Sequence, residues 1–247
     1  MALLTSRRLA VVSLAAAALA AGTTALAQQR MFFGIATGGT GGTYYPLGGM
    51  LAQLISNKAV VDGKKISATA EAAGASVGNA KLLGTKDIES AFVAADILDA
   101  AYNGKGQFNG AAVKNLRALG ALYPETVQLI TRADMGINSV KDLKGKSVSS
   151  GAPGSGQYQL LTDLLAVHGM ARTDVKEDLS SFTQAVDKIK DGNLHATLIT
   201  AGVPTAAVTD FAQSHALKVI PLTGPEIAEL RKQQPYYAEV PLPANTY

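Results

Sequence analysis

Hydrophobic positions along this chain switch repeatedly between two periods, and the switches mark its elements. Met31–Ala36 is a short apolar run that predicts a strand. From about Pro46 to Asn57, Leu47, Met50, Leu51, Leu54 and Ile55 fall on one face of a helix, and Pro46 suits its first turn. In Lys65–Ala70, Ile66, Ala68 and Ala70 alternate with Ser67 and Thr69, the period of a second strand. Gly74–Ser76 is a turn and Val77–Leu83 opens a helix. Ile88–Val93 is a third strand, and Asp96–Tyr102 a short helix stopped by Asn103-Gly104. Two apolar runs follow, Leu116–Leu122 and Val127–Arg132, with Tyr123-Pro124-Glu125 between them. The rhythm then resumes with a helical turn at Val140–Leu143, a strand at Ser147–Ser150 and helices at Gln157–His168 and Thr183–Lys190. A strand at Leu194–Thr200, a helix at Pro204–Ala212 and a strand at Leu217–Pro221 complete it. The remainder, with Pro225, Pro235, Pro241 and Pro243, is poorly periodic.

This alternation predicts an α/β architecture of mostly parallel sheets flanked by helices. Gly-rich loops follow strands and precede helices, at the carboxyl edge where open α/β sheets bind ligands. One such unit lies near Thr37–Gly42 and another near Gly151–Gly156. Tyr123-Pro124 falls between them and suits a crossover between two lobes.

The first residues stand apart from this pattern. Arg7 and Arg8 precede an apolar run, Leu9–Ala21, and Ala25-Leu26-Ala27 forms a small-x-small cleavage site. That is the layout of a secretory signal peptide, residues 1–27, and the run is too short to span a bilayer. Its removal takes two of the 22 basic residues and none of the 19 acidic ones, so net charge falls from +3 to +1. A nearly neutral chain without basic clusters gives no footing for nucleic acid. There is no Cys, so the exported chain has no disulfide, thiolate nucleophile, thiolate metal site or lipid-anchoring Cys, and must rest on its apolar core. A protein of the periplasm without a stable membrane anchor is expected.

The loop chemistry narrows the function. "GIATGGTGGTYYPLGG", residues 34–49, carries glycines, hydroxyls and phenols but no charge. It is no dinucleotide fingerprint, because Tyr44 stands where G-x-G-x-x-G needs its third Gly. Gly151–Gly156 has P-loop glycine spacing, but Gln157 and Tyr158 replace the Lys and hydroxyl residue. Three scattered His and no paired acids at ligand spacing give no metal site, and no cofactor is implied. Gly74-Ala75-Ser76-Val77-Gly78 matches the G-x-S-x-G nucleophile elbow, which keeps a serine hydrolase built on Ser76 as an alternative. Against it, none of His168, His195 and His215 sits in a loop with a clear partner carboxylate, and Ser76 reads equally well as a helix cap. What recurs is neutral donors at helix starts, in Thr37–Thr43, Gly74–Ser76 and Gly154–Gly156. Such starts hold carboxylates or phosphates without a Lys.

Four segments then carry a resemblance: "GTGGTYYPLGGMLAQLI", "GASVGNAKLLGTKDIESAFVAADI", "ALYPETVQLITRADMGINSVKDLKGKSVSSGAPGSG" and "ITAGVPTAAVTDFA". In this order and spacing they resemble the TAXI (TRAP-associated extracytoplasmic immunogenic) solute receptors of TRAP transporters, over about Phe32 to Tyr247. The resemblance implies a two-lobed periplasmic binding protein of type II and no enzymatic activity. It also implies a small anionic solute, an amino acid or dicarboxylate, passed to TRAP-type membrane permease subunits by a monomer. The first lobe would comprise residues 28–125 and 223–247, and the second 126–222. By motif match Gly39, Thr40, Gly41, Tyr44, Tyr45 and Asp96 would line one wall of the cleft, and Gly154, Ser155, Gly156 and Gly202 the other. Asp96 would accept from a ligand ammonium or cap the helix it begins. Two departures stand out. Ala94 and Ala95 replace polar residues usual before that Asp, and the chain stops where family members continue. A shortened form that binds nothing is therefore a further alternative.

Overall fold

The computed structural model describes residues 31–247. The expected signal peptide lies outside the described residues. Two sheets organise the chain. The first contains β1 (Met31–Ala36), β2 (Val60–Val61), β3 (Lys64–Glu71) and β4 (Ser90–Ala91), in the order β2-β3-β1-β4. β1 runs parallel to β3, with Met31 opposite Ile66, and parallel to β4, with Ile35 opposite Ser90. α1 (Tyr44–Lys58), α2 (Ala75–Thr85) and α3 (Ala95–Asn103) connect these strands. β2 and β3 form a hairpin absent from the sequence-based expectation. Its two-residue turn, Asp62-Gly63, has φ of +49° and +74°, as a type I′ turn requires.

The second sheet contains β5 (Thr126–Arg132), β6 (Ser147–Ser149), β7 (Lys176–Asp178), β8 (Ala196–Ala201) and β9 (Leu217–Ile220), in the order β7-β6-β8-β5-β9. α4 (Gln157–Val167), α5 (Phe182–Lys190) and α6 (Ala206–Ser214) cover it. The mostly parallel pairing expected from the sequence has its main exception here. β6 is parallel to β7 and β8, but β5 is inserted between β8 and β9 and runs against both. β5 enters from the first sheet through Tyr123–Glu125 with no preceding crossover helix, so the strand–helix rhythm gives no sign of its direction. The fold is α/β, with mixed sheets flanked by helices.

The second sheet divides its side chains cleanly. Leu129 and Leu198 face one core with Val148, Leu161 and Leu165, while their chain neighbours Ile130 and Ile199 face the other with Ile189, Val208 and Phe211. This is period-2 alternation in a sheet buried on both faces. The first sheet has smaller cores, one around Ile35, Ala52 and Phe92 and one around Val77, Ala80, Ile97 and Phe108. The tail, expected to return to the first lobe, packs mainly on the second sheet. Its helix α7 (Pro225–Gln233) buries Leu230 in the core of Leu129 and Leu198, and Tyr247 packs on the core of Ile130 and Phe211. The Tyr247 hydroxyl donates to Gln128 Oε1 at 2.5 Å and accepts from the Thr205 N–H at 3.1 Å. Leu116–Leu122 forms neither helix nor strand, and Leu119 is 91% exposed. No described helix is long and apolar enough to cross a membrane.

Candidate functional site

The loops at the carboxyl ends of both sheets meet. Thr43 Oγ1, at the start of α1, accepts from the Gly202 N–H after β8 at 2.9 Å. The Gly41 carbonyl accepts from the Ala207 N–H of α6 at 3.1 Å. The Gly154 carbonyl, before α4, accepts from the N–H groups of Val77 and Gly78 at 2.9 and 3.1 Å. Two of the four orphan donors that open α2 are thus satisfied from the opposite sheet's loop. Close approach explains the glycines. A Cβ at Gly154, whose φ is +88°, would stand 2.8 Å from the Gly74 carbonyl, and one at Gly41 would stand 2.4 Å from Thr183 Oγ1.

Behind these contacts lies a cavity of about 1890 Å³. Gly39, Tyr44 and Asp96 line it from the first sheet's loops, and Ser155 and Gly156 from the second's. The other expected site residues, Thr40, Gly41, Tyr45, Gly154 and Gly202, do not line it. Gly41, Gly154 and Gly202 serve the loop-to-loop contacts instead, while Thr40 and Tyr45 are exposed.

The cavity also contains residues that the motifs did not indicate, above all Tyr123 and Glu125 of the crossing segment and Tyr237 of the tail. The Tyr44 ring lies 6.5 Å from that of Tyr123, edge to face. Glu125 faces both phenols and the Asp96 carboxylate. Burial foremost, helped by Asp96, pushes the Glu125 carboxyl up to about 7, while the phenols work the other way. Burial also raises Asp96, against the Ile97 N–H bond at 2.8 Å to its Oδ1 and the Tyr237 hydroxyl, which donates to its Oδ2 at 3.5 Å. Burial first, then neighbouring carboxylates, raises the phenols of Tyr44, Tyr123 and Tyr237, so all three remain protonated donors. Tyr123 and Glu125 lie in the stretch that the sequence marked only as a crossover, and no local signal separated them from a hinge.

Ser76 sits at the cavity wall without the partners of a nucleophile. Its Oγ lies 3.2 Å from the Tyr44 hydroxyl and accepts from the Ala94 N–H at 3.0 Å. The preceding Ala75 has a φ of +53°, a strained value for a residue with a side chain. The imidazoles bond elsewhere: His168 Nδ1 to the Leu164 carbonyl, His195 Nδ1 to Ser147 Oγ, and His215 Nδ1 to Ser214 Oγ. Among the described residues no cluster of three His, Cys, Asp or Glu could hold a metal ion.

Two mixed sheets with their loop ends meeting over a cavity define the architecture of the type II periplasmic binding proteins. The chain belongs to the NMT1-like family, which it matches over residues 35–247. Among solved structures it is similar to the alkanesulfonate-binding protein SsuA from Xanthomonas axonopodis pv. citri bound to MOPS. That pair shares 17% identity at a TM-score of 0.50, over 78% of this chain and 60% of that one. It is also similar to a protein from the study of glutathione import in Streptococcus mutans, at 15% identity and a TM-score of 0.54, over 80% and 78% of the two chains. The periplasmic aliphatic sulphonate-binding protein SsuA from Escherichia coli shows 19% identity and a TM-score of 0.48, over 77% of this chain and 56% of that one. The chain thus spans under two thirds of the length of either sulphonate-binding protein.

Proposed function

We propose that this chain is an extracytoplasmic solute receptor without enzymatic activity. It closes two lobes, centred on β1–β4 and β5–β9, over a small carboxylate-bearing solute of the amino acid or dicarboxylate type. It then delivers that solute to the membrane subunits of a TRAP-type transporter. The observation that carries this reading is the cavity, lined by loops from the carboxyl ends of both sheets, with its mouth held by the Thr43–Gly202 and Gly154–Val77 contacts. The fold neighbours lend support, since one is bound to MOPS and another comes from a study of glutathione import, both small charged molecules. The hydrolase alternative gains nothing, because Ser76 Oγ partners a phenol and a backbone amide and has no imidazole.

Ligand binding shifts a pre-existing equilibrium toward the closed form by the solute's preference for that form. The test is a thermal-shift screen of amino acids, dicarboxylates and keto acids with the exported chain. A ligand at a hundred times its Kd should stabilise the fold by about 2.7 kcal/mol and raise the melting temperature saturably. Flat responses across all three classes would sink the reading. Ester hydrolysis lost on Ser76→Ala would replace it with the hydrolase.

A further inference from the structure

Resting on the receptor reading, we propose that the cleft selects a solute that carries an ammonium group, and that Glu125 and Asp96 hold that group. This chooses the amino acid over the dicarboxylate. Both carboxylates lie in the cavity wall and are more than half buried, and the Asp96 charge is felt at Glu125. Among the described residues no Lys, Arg or His nitrogen lies within 4.0 Å of either one. Three basic residues do line the cavity, but Arg231 pairs with Glu239, Arg117 donates to the carbonyls of Lys114 and Leu116, and Lys86 reaches neither acid. A buried carboxylate without a counter-charge is costly, and a bound cation relieves that cost. A dicarboxylate would instead bring two more negative charges to the same wall.

An independent observation points to a ligand at the same place. Ser155 is 5% exposed, lines the cavity, and its Oγ has no hydrogen-bond partner. Its neighbour Gly156 abuts the residue after Asp96, since a Cβ there would stand 3.0 Å from Ile97 Cγ1. Thr200 Oγ1 is likewise buried, unpartnered and in the cavity wall. Thr200 pairs across the sheet with Val127, two residues from Glu125. Buried hydroxyls left open in the wall of the cavity that holds two carboxylates suit a zwitterion, with its ammonium on the acids and its carboxylate on the hydroxyls.

The groups facing Glu125 are Tyr44 from α1, Tyr123 from the crossing segment and Asp96 from α3. Asp96 in turn faces Tyr237 of the tail and Asp163 of α4. None of these is a cation, so an arriving ammonium favours the ionised form of Glu125. Binding near pH 6 therefore expels a proton.

The experiment is calorimetric titration of the exported chain with matched probes: L-glutamate against 2-oxoglutarate, and L-leucine against 4-methyl-2-oxopentanoate. The amine should bind at least tenfold tighter than its oxo partner. Titrations at pH 6 in buffers of different ionisation enthalpy should show proton release that fades by pH 8.5. Glu125→Gln, which keeps the side-chain shape, should weaken the amine tenfold or more and leave the oxo acid unchanged or tighter. Ser155→Ala should weaken amine and oxo acid alike. If oxo acids bind as tightly as amines and Glu125→Gln leaves the amine Kd unchanged, the ammonium site is overturned while the receptor reading stands. If neither set gives heat or a melting shift, both fall.

Discussion

The two sheets bury themselves by different means. β5 and β8, at the middle of the second sheet, send Leu129 and Leu198 into one core and Ile130 and Ile199 into another, all four fully buried. The first sheet has no such layer. Ile35 and Phe92 are buried, but both also line the cavity with Phe33, Leu51 and Ile55. Its fixed point is polar. Asn79 of α2 is fully buried, and its Nδ2 donates to the carbonyls of Ala36, Thr37 and Phe92 at 3.3, 2.9 and 2.8 Å. One amide thus ties β1 and its exit loop to the chain beyond β4. The lesson is a division of labour. A sheet packed on both faces resists deformation, while one pinned by a few polar contacts beside a cavity yields locally.

The sharpest way to break that comparison is to empty both cores. Leu198→Ala should cost about 4 kcal/mol, near the upper end for a buried Leu, and Ile35→Ala about 2 kcal/mol because the adjoining cavity already deprives it of neighbours. Urea unfolding measures both, and equal costs would end the distinction. Asn79→Ala should cost about 3 kcal/mol, because three carbonyls lose a buried donor at once. Hydrogen exchange should show the loss as faster exchange in β1 and β3, with β5 and β8 unchanged. Uniform acceleration across both sheets would mean that they unfold as one unit.

The same division decided what could be read from sequence. β1, β5, β8 and β9 fall within two residues of their expected limits, because continuous or alternating apolar runs specify buried strands. β7, Lys-Glu-Asp, is an edge strand of charged residues and has no apolar pattern to find. α7 was missed because Leu230 is its only buried residue. The β2–β3 hairpin did have a signal, Asp62-Gly63 between Val61 and Lys64, which went unread. In the candidate site, Gly39, Tyr44, Asp96, Ser155 and Gly156 were nameable from loop position and motif. Glu125 was not, because its character comes from burial and from Tyr44 and Asp96, which are distant in the chain and meet it only in the fold.

Acidity sharpens the comparison where the sheets join. The Glu125 carboxyl titrates near 7 in the fold against about 4.5 in the unfolded chain. A raised acid stabilises fully below the unfolded value, and that contribution is lost as pH rises through the folded one. Asp96 is displaced in the same direction. The stability of the ligand-free protein should therefore fall by about 2 kcal/mol between pH 5 and pH 8 on account of Glu125, after discounting for its partial exposure. His195, lowered by burial and by Lys146 and Lys176, works oppositely in this window. The measured quantity is thus the difference between wild type and Glu125→Gln at each pH. A pH-independent difference would place Glu125 in solvent.

The smallest expected effect tests whether the two sheets are joined by few contacts. Thr43 Oγ1 is the acceptor for the Gly202 N–H, and a Cβ at Gly202 would stand a tight 3.1 Å from that same oxygen. Thr43→Ala removes the acceptor without disturbing either sheet, so it should lower global stability by only about 1 kcal/mol, the worth of one hydrogen bond. Under the proposed receptor reading, the same loss applied to the open–closed equilibrium is about a fivefold change in population. Small-angle scattering of the ligand-free protein should then show a larger radius of gyration for Thr43→Ala than for wild type, with Thr43→Ser restoring the wild-type value. The effect stays this small because the Gly41–Ala207 and Gly154–Val77 contacts remain in the variant and keep part of the population closed. An unchanged radius in Thr43→Ala, with stability lowered as expected, would assign the Thr43–Gly202 contact to the rigid frame and leave closure to the Gly41 and Gly154 loops.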